Sequence, residues 1–81
     1  MEYEEMFSRV EGIFRDIFDD EQLAIARETV ADDIEDWDSL NHINLVTALE
    51  SEFAIRFALG ELQGLKNVGD MLDLVQQKIS A

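Results

Sequence analysis

The stretch Trp37-Asp38-Ser39-Leu40-Asn41-His42-Ile43-Asn44-Leu45-Val46-Thr47-Ala48-Leu49-Glu50-Ser51-Glu52-Phe53 reads as one α-helix opening at Ser39. Either Asp38 or Ser39 can serve as its cap, since both side chains can accept from the free N–H groups of a first helical turn. At about 100° per residue the helix carries two stripes. His42, Leu45, Val46, Leu49 and Phe53 share a sector of roughly 80–100°, which is the core side. Leu40 and Ile43 fall outside that sector, beside Thr47 and Glu50, on the face expected to meet solvent. Two apolar residues on an exposed turn flanked by acids read as a small contact patch.

Working outward, the N-terminal side repeats the helical period. Met6, Phe7, Val10, Ile13, Phe14, Ile17 and Phe18 recur at the spacing of an amphipathic helix over residues 3–18, with Glu2, Glu4 and Glu5 at the end where the helix dipole favours negative charge. Toward the C-terminus, Val68, Met71, Leu72, Val75 and Ile79 form a further stripe, opened by Asn67 as a cap and closed near Lys78. A short helix fits between them, from Leu59 or Gly60 to Leu65, and residues 54–57 read as a loop. Between residues 19 and 38 the period fails. Leu23, Ile25, Val30, Ile34 and Trp37 recur irregularly among acids, as in a long loop pinned by a few apolar anchors, with room for a short helix near residues 21–27. The expected fold is all-α: a small four-helix bundle, three longer helices and one short, with a long loop between the first and second. Residues 1–81 are expected to form a single domain.

Composition narrows the function. The 81 residues carry 19 acids against 6 lysines and arginines, a formal net charge of −13. No basic residue lies between Arg27 and Arg56, where acids are dense. Such a field repels nucleic acid and anionic membranes, attracts partners with basic patches and favours a monomer. With no cysteine there is no disulfide, zinc-thiolate site or cysteine nucleophile. The apolar runs are too short to span a bilayer, and the N-terminus is acidic where a secretory signal is basic, so a cytoplasmic protein is expected.

Three chemical readings of the central region compete. Asp32 to Asp38 is acidic enough to suggest a calcium loop, but that loop needs glycine at its sixth position and glutamate at its twelfth. From Asp32 those positions hold Trp37 and Ile43, and from Asp33 they hold Asp38 and Asn44, so no metal site is expected. A Ser39–His42 nucleophile and base share one helix, but nothing marks an orienting acid or an oxyanion hole. His42 reads instead as a satisfied, partly buried core histidine. An acidic helical interaction module without any prosthetic group would also display the Leu40–Ile43 patch. Ser39 itself is a cap on the plainest reading. The same position, at the positive end of a helix dipole with free N–H groups, also suits a phosphate ester.

The region from Trp37 to Phe53 resembles the signature of the acyl carrier protein family, in which Asp-Ser-Leu opens the second helix and Leu-x-x-x-Leu-Glu-x-x-Phe follows. Asp32-Asp33-Ile34 is similar to the family's acidic approach to that serine. Ile55, Phe57, Glu61-Leu62, Val68 and Asp70 match similar residues of its third and fourth helices. The resemblance implies that Ser39 takes a 4'-phosphopantetheine arm from coenzyme A, transferred by a phosphopantetheinyl transferase, with Asp38 helping to position magnesium in the transfer complex. It implies an arm thiol that holds acyl or aminoacyl cargo as a thioester for separate ligases, transferases and biosynthetic enzymes, the carrier itself catalysing nothing. It further implies that Leu40, Ile43, Thr47 and Glu50 meet those partners. Two departures stand out. The family's glycine, as in Leu-Gly-x-Asp-Ser-Leu, is replaced within Ile34-Glu35-Asp36-Trp37, with one extra residue. Asn41, Asn44, Thr47 and Ser51 stand where carriers of primary fatty acid synthesis have acids and a methionine. These changes point away from housekeeping fatty acid synthesis toward a specialised carrier, serving secondary metabolism or the modification of a surface polymer.

Overall fold

In the computed structural model, which describes residues 1–80, the apolar stripe near the N-terminus folds as α1, Tyr3–Ile17. Its residues Met6, Val10, Ile13 and Phe14 are buried, as their i, i+4, i+7, i+8 spacing requires. The other elements are a single 3-10 turn at Ala31–Asp33, then α2 (Ser39–Phe53), the short α3 (Leu59–Gln63) and α4 (Val68–Ser80). Helices α1, α2 and α4 pack against one another pairwise, and among the described residues there is no strand. This is the all-α, four-helix arrangement that the periodicity predicts, with α3 as the short member. Leu45, Leu49 and Phe53 of α2 meet Val68, Met71, Leu72 and Val75 of α4 and the α1 stripe in one core. No helix among the described residues is long and apolar enough to cross a membrane.

The long connection between α1 and α2 is fixed by polar contacts that the pattern of apolar residues does not reveal. Arg15 Nε donates to the Leu23 carbonyl at 2.7 Å, and the Ile25 N–H donates to Glu11 Oε2 at 3.1 Å. Farther along, the N–H groups that α4 leaves free at its N-terminus find acceptors in the loop: Val68 N–H to Thr29 O and Gly69 N–H to Arg27 O, both 2.8 Å. Ile25 and Ile34 are buried beneath. These partners explain why residues 21–27 form no helix. The Leu23 carbonyl and the Ile25 N–H are bound to α1, and the Ala26 N–H donates to Thr29 Oγ1 in a local turn. An α-helix would need those same groups for itself.

Helix ends follow the sequence closely. Asn67 Oδ1 accepts from the Asp70 N–H at 2.8 Å, capping α4 as its side chain predicts. At the C-terminus of α2, Ala54 takes the left-handed conformation (φ 53), and the Ile55 N–H closes back on Glu50 O at 3.1 Å. Glu61 joins two elements: Oε1 accepts from the Ala58 N–H and from Lys78 Nζ, each at 2.8 Å, tying α3 to α4. The Lys78 ammonium first, and then the Ala58 N–H, hold the Glu61 carboxyl below its ordinary range. The Arg27 guanidinium does the same to Asp73, which it grips through two hydrogen bonds.

Two outcomes are expected. A Cβ at Gly69 would stand 2.9 Å from Arg27 O and 3.1 Å from Arg27 Cβ, where the loop backbone seals α4. Gly69→Ala should therefore lower stability by about 1–3 kcal/mol in urea melts, despite the gain of roughly 1 kcal/mol that alanine ordinarily brings to a helix. Because the folded pKa of Glu61 lies below its unfolded value, its contribution is present above about pH 4.3 and is lost as pH falls through the folded pKa. Glu61→Gln should flatten the loss of stability on acidification in that window, as urea midpoints across the acid range will read.

Candidate functional site

Ser39 opens α2, and the geometry around it is set by the two residues that precede it. Asp38 is extended (φ −104, ψ −174), and its Oδ1 accepts from the Asn41 N–H at 2.8 Å. Of the two caps that the sequence allows, Asp38 is the one used. The Ser39 hydroxyl is thereby left without a structural task, and the residue is exposed. In the first turn the Asn41 N–H is bound by Asp38 Oδ1 and the His42 N–H by Asp38 O, while the Ser39 and Leu40 N–H groups have no acceptor among the described residues. Asp38 Oδ2 likewise has no partner among the described residues.

Asp36 adopts a left-handed conformation (φ 71), and its carbonyl accepts both the Asp38 N–H at 2.9 Å and Asn41 Nδ2 at 2.7 Å. Counting back from Asp38-Ser39, this is the place of the glycine in the Leu-Gly-x-Asp-Ser-Leu pattern. The backbone need is the same, and aspartate is among the few other residues that meet it at modest cost.

Between Asp36 and Asp38 stands Trp37, the only tryptophan in the chain. Its ring meets Phe14 edge-on (centroids 5.3 Å, 81°) and lies tilted against Phe18 at 6.0 Å. On its other side Nε1–H donates to His42 Nδ1 at 3.2 Å, with the two ring planes 18° apart. With Nδ1 accepting, the neutral imidazole carries its proton on Nε2. His42 is thus half-buried, as its core-side position predicts, with Nδ1 partnered and Nε2 without a partner among the described residues.

The outward face of α2 bears the expected patch. Leu40 is 68 % exposed and Ile43 61 %, and Thr47 is exposed beside them. Glu50 differs: it is half-buried, and Oε2 accepts the Phe57 N–H at 2.9 Å, so one carboxylate oxygen already serves the α2–α3 connection. Leu59, at the start of α3, is 72 % exposed, and the sequence reading did not single it out as part of a surface. Its signal was weak because a short helix shows too little period to separate an outward leucine from an inward one. Beside Ser39 an open, mostly apolar cleft of about 490 Å³ is lined by Ala31, Trp37, Asp38, Ser39, His42 and Ile43. Among the described residues no three His, Asp or Glu side chains converge on a metal-binding position.

Ser39 thus stands exposed at the head of α2, with Asp38 and His42 lining the cleft beside it. Comparison with known proteins shows what this chain is similar to. No family model matches the chain. The acyl carrier protein of Thermosynechococcus vestitus is 32 % identical over 82 aligned positions that span the whole of both chains. That of Saccharopolyspora erythraea is 32 % identical over 79, covering 91 % of this chain and 78 % of its own. Among solved structures, the holo acyl carrier protein of Geobacter metallireducens superposes with a TM-score of 0.88 at 52 % identity, over 93 % of this chain and 86 % of that one. The chain belongs to the acyl carrier protein family, and its general role is that of an acyl carrier.

The cap assignment is open to test. Asp38→Ala should cost about 1 kcal/mol in thermal or urea unfolding, whereas Asp38→Ser, which keeps an acceptor for the Asn41 N–H, should cost clearly less. Ser39→Ala should leave stability nearly unchanged, because the serine side chain caps nothing.

Proposed function

We propose that Ser39 is the attachment point of a covalent 4'-phosphopantetheine, and that through it this chain carries acyl or aminoacyl intermediates between partner enzymes as one single-domain carrier. The observation that carries this reading is the division of labour between neighbours: Asp38 caps α2, which leaves the exposed Ser39 hydroxyl free for chemistry. The residues present fit such a group. Two N–H groups at the positive end of α2, those of Ser39 and Leu40, are available to a phosphate, and an apolar cleft opens beside them for the chain that follows. The Geobacter relative at 52 % identity is itself a holo form. When bound, the group supplies a thiol, which this cysteine-free chain lacks, to hold cargo as a thioester.

In the loading reaction the Ser39 Oγ forms a new P–O bond at the pantetheine-side phosphorus of coenzyme A. The pyrophosphate P–O bond breaks, adenosine 3',5'-bisphosphate leaves, and the serine proton passes to a base of the transferase. Asp38, with Oδ1 engaged as the cap and Oδ2 unpartnered, can offer that second oxygen to the magnesium ion of the transfer complex. Leu40, Ile43 and Thr47 form the docking face for the transferase and later partners, and Glu50 contributes at its edge. Asn41, Asn44 and Ser51 make that face less charged than acids would, which supports a specialised pathway with dedicated partners over housekeeping fatty acid synthesis.

Incubation with coenzyme A, magnesium and a broad-specificity phosphopantetheinyl transferase tests the assignment. The intact mass should rise by one phosphopantetheine, and Ser39→Ala should abolish the gain while remaining folded. No gain under conditions that modify a control carrier would sink the assignment and leave an interaction module as the better reading.

A further inference from the structure

Arg56 is a cation that the chain itself leaves unanswered. Of the 6 lysines and arginines, Arg9, Arg15, Arg27 and Lys78 each hold a carboxylate within ion-pair distance, whereas Arg56 and Lys66 hold none among the described residues. The acids near Arg56 in sequence are engaged elsewhere. Glu52 pairs with Arg9, Glu61 with Lys78, and Glu50 Oε2 accepts the Phe57 N–H. Lys66 lies in the turn between α3 and α4, but Arg56 adjoins the outward face of α2. With Thr47, Glu50, Ser51, Ala54 and Ile55 it lines an open cleft of about 460 Å³, so the cation shares a surface with two residues of the docking face.

The backbone under this cation is fixed. The Ile55 N–H returns to Glu50 O at 3.1 Å and the Phe57 N–H to Glu50 Oε2 at 2.9 Å, so both neighbours of Arg56 are tied to one residue of α2. Ile55 is buried, and Arg56 beside it is exposed. A ligand that meets the guanidinium therefore has no loop to order first.

Charge changes sign along the same surface. Asp32, Asp33, Glu35, Asp36 and Asp38 precede Ser39, no Asp, Glu, Lys or Arg lies between Asp38 and Glu50, and Arg56 follows the far end of α2. The 15 residues of α2 hold the two poles about 22 Å apart. A uniformly basic partner would set like charges against Arg56, and a uniformly acidic one would be repelled at the Ser39 end. A free anion is a poor occupant, because the C-terminal end of α2 and the Glu50 carboxylate are both negative there. A carboxylate fixed on a protein surface draws affinity from the rest of the contact, and the guanidinium fork matches its shape.

Resting on the docking role proposed above for Leu40, Ile43 and Thr47, we propose that Arg56 is the far anchor of that face. It takes a carboxylate from a partner enzyme whose surface is basic opposite the acids before Ser39 and apolar in between. The two poles then fix which way round the partner sits and bring its reaction centre to the Ser39 end.

Wild type, Arg56→Glu, Arg56→Lys and Leu40→Ala are produced in the cells from which the chain comes. Intact mass reads the acylated share of the phosphopantetheine-bearing molecules. That share should fall about tenfold in Arg56→Glu, the scale of a close interfacial charge pair reversed, and should fall in Leu40→Ala as well. Arg56→Lys, which keeps the charge, should recover most of it. A second-site change that restores Arg56→Glu should replace an acidic residue of a partner enzyme with a basic one. A wild-type share in Arg56→Glu with a reduced one in Leu40→Ala would overturn the Arg56 contact and leave the docking face standing. Wild-type shares in both would overturn the face too, and the reverse pattern would overturn their belonging to one face. Arg56→Lys failing as fully as Arg56→Glu would show that the loss does not follow charge, and an unfolded Arg56→Glu in urea melts that Arg56 serves the fold; either overturns the proposal. A wild type bearing the arm without acyl cargo would overturn the dedicated partner, and one without the arm the carrier reading beneath it.

Discussion

Trp37 meets the edge of Phe14 on one side and gives its indole N–H to His42 on the other, and those contacts bind the end of the long loop to two helices at once. The geometry of the site is built around that fastening. On either side of Trp37 the backbone turns left-handed at Asp36 and extends at Asp38, whose carboxylate reaches the Asn41 N–H at the head of α2. Ser39 comes next and is left exposed. A carrier needs its attachment point free to meet other enzymes yet rigidly based, and for Ser39, the attachment point proposed above, the rigidity belongs to the neighbours.

The same loop is secured at its middle by a different device. Helices leave donors unsatisfied at their N-termini, and α4 meets two of those needs with the Thr29 and Arg27 carbonyls. The contact is close enough that Gly69 has no room for a side chain. A loop rich in acids and poor in apolar residues is thus held by backbone hydrogen bonds and by Glu11 and Arg15 of α1, rather than by burial alone. Such a connection can be ordered without a regular element of its own, and this leaves its acidic side chains facing outward.

Charge and packing divide the surface between them. The net charge of −13 makes the molecule attractive to basic partners at long range, while the exposed Leu40, Ile43 and Leu59 supply apolar contact at short range. Glu50 sits on the border of the two, with one oxygen committed to Phe57. Under the proposed docking role, substitutions there would mix effects on the α2–α3 connection with effects on the surface, whereas Leu40 and Thr47 would report on the surface alone.

The helices, their faces and the cap of α4 were legible in the sequence because each depends on periodicity and on local hydrogen bonding, which act within a few residues. The two stripes of α2 and the exposure of Leu40 and Ile43 followed from angle alone, and the motif around Ser39 carried the family. Contacts between segments distant along the chain were not legible. The Gly69–Arg27 approach and the Glu11 and Arg15 staples, like the placing of Ala31 opposite α2 in the cleft lining, join residues whose separation leaves no periodic trace. The partnership of Trp37 with His42 spans only five positions, but it crosses the boundary between loop and helix, where no period applies. The residues 21–27 show the cost of this blindness: their composition allows a helix, and only the competing partners on α1 and Thr29 decide against it. Sequence determined what each segment would be; tertiary structure decided which of Asp38 and Ser39 would cap the helix, and so which was left free to react.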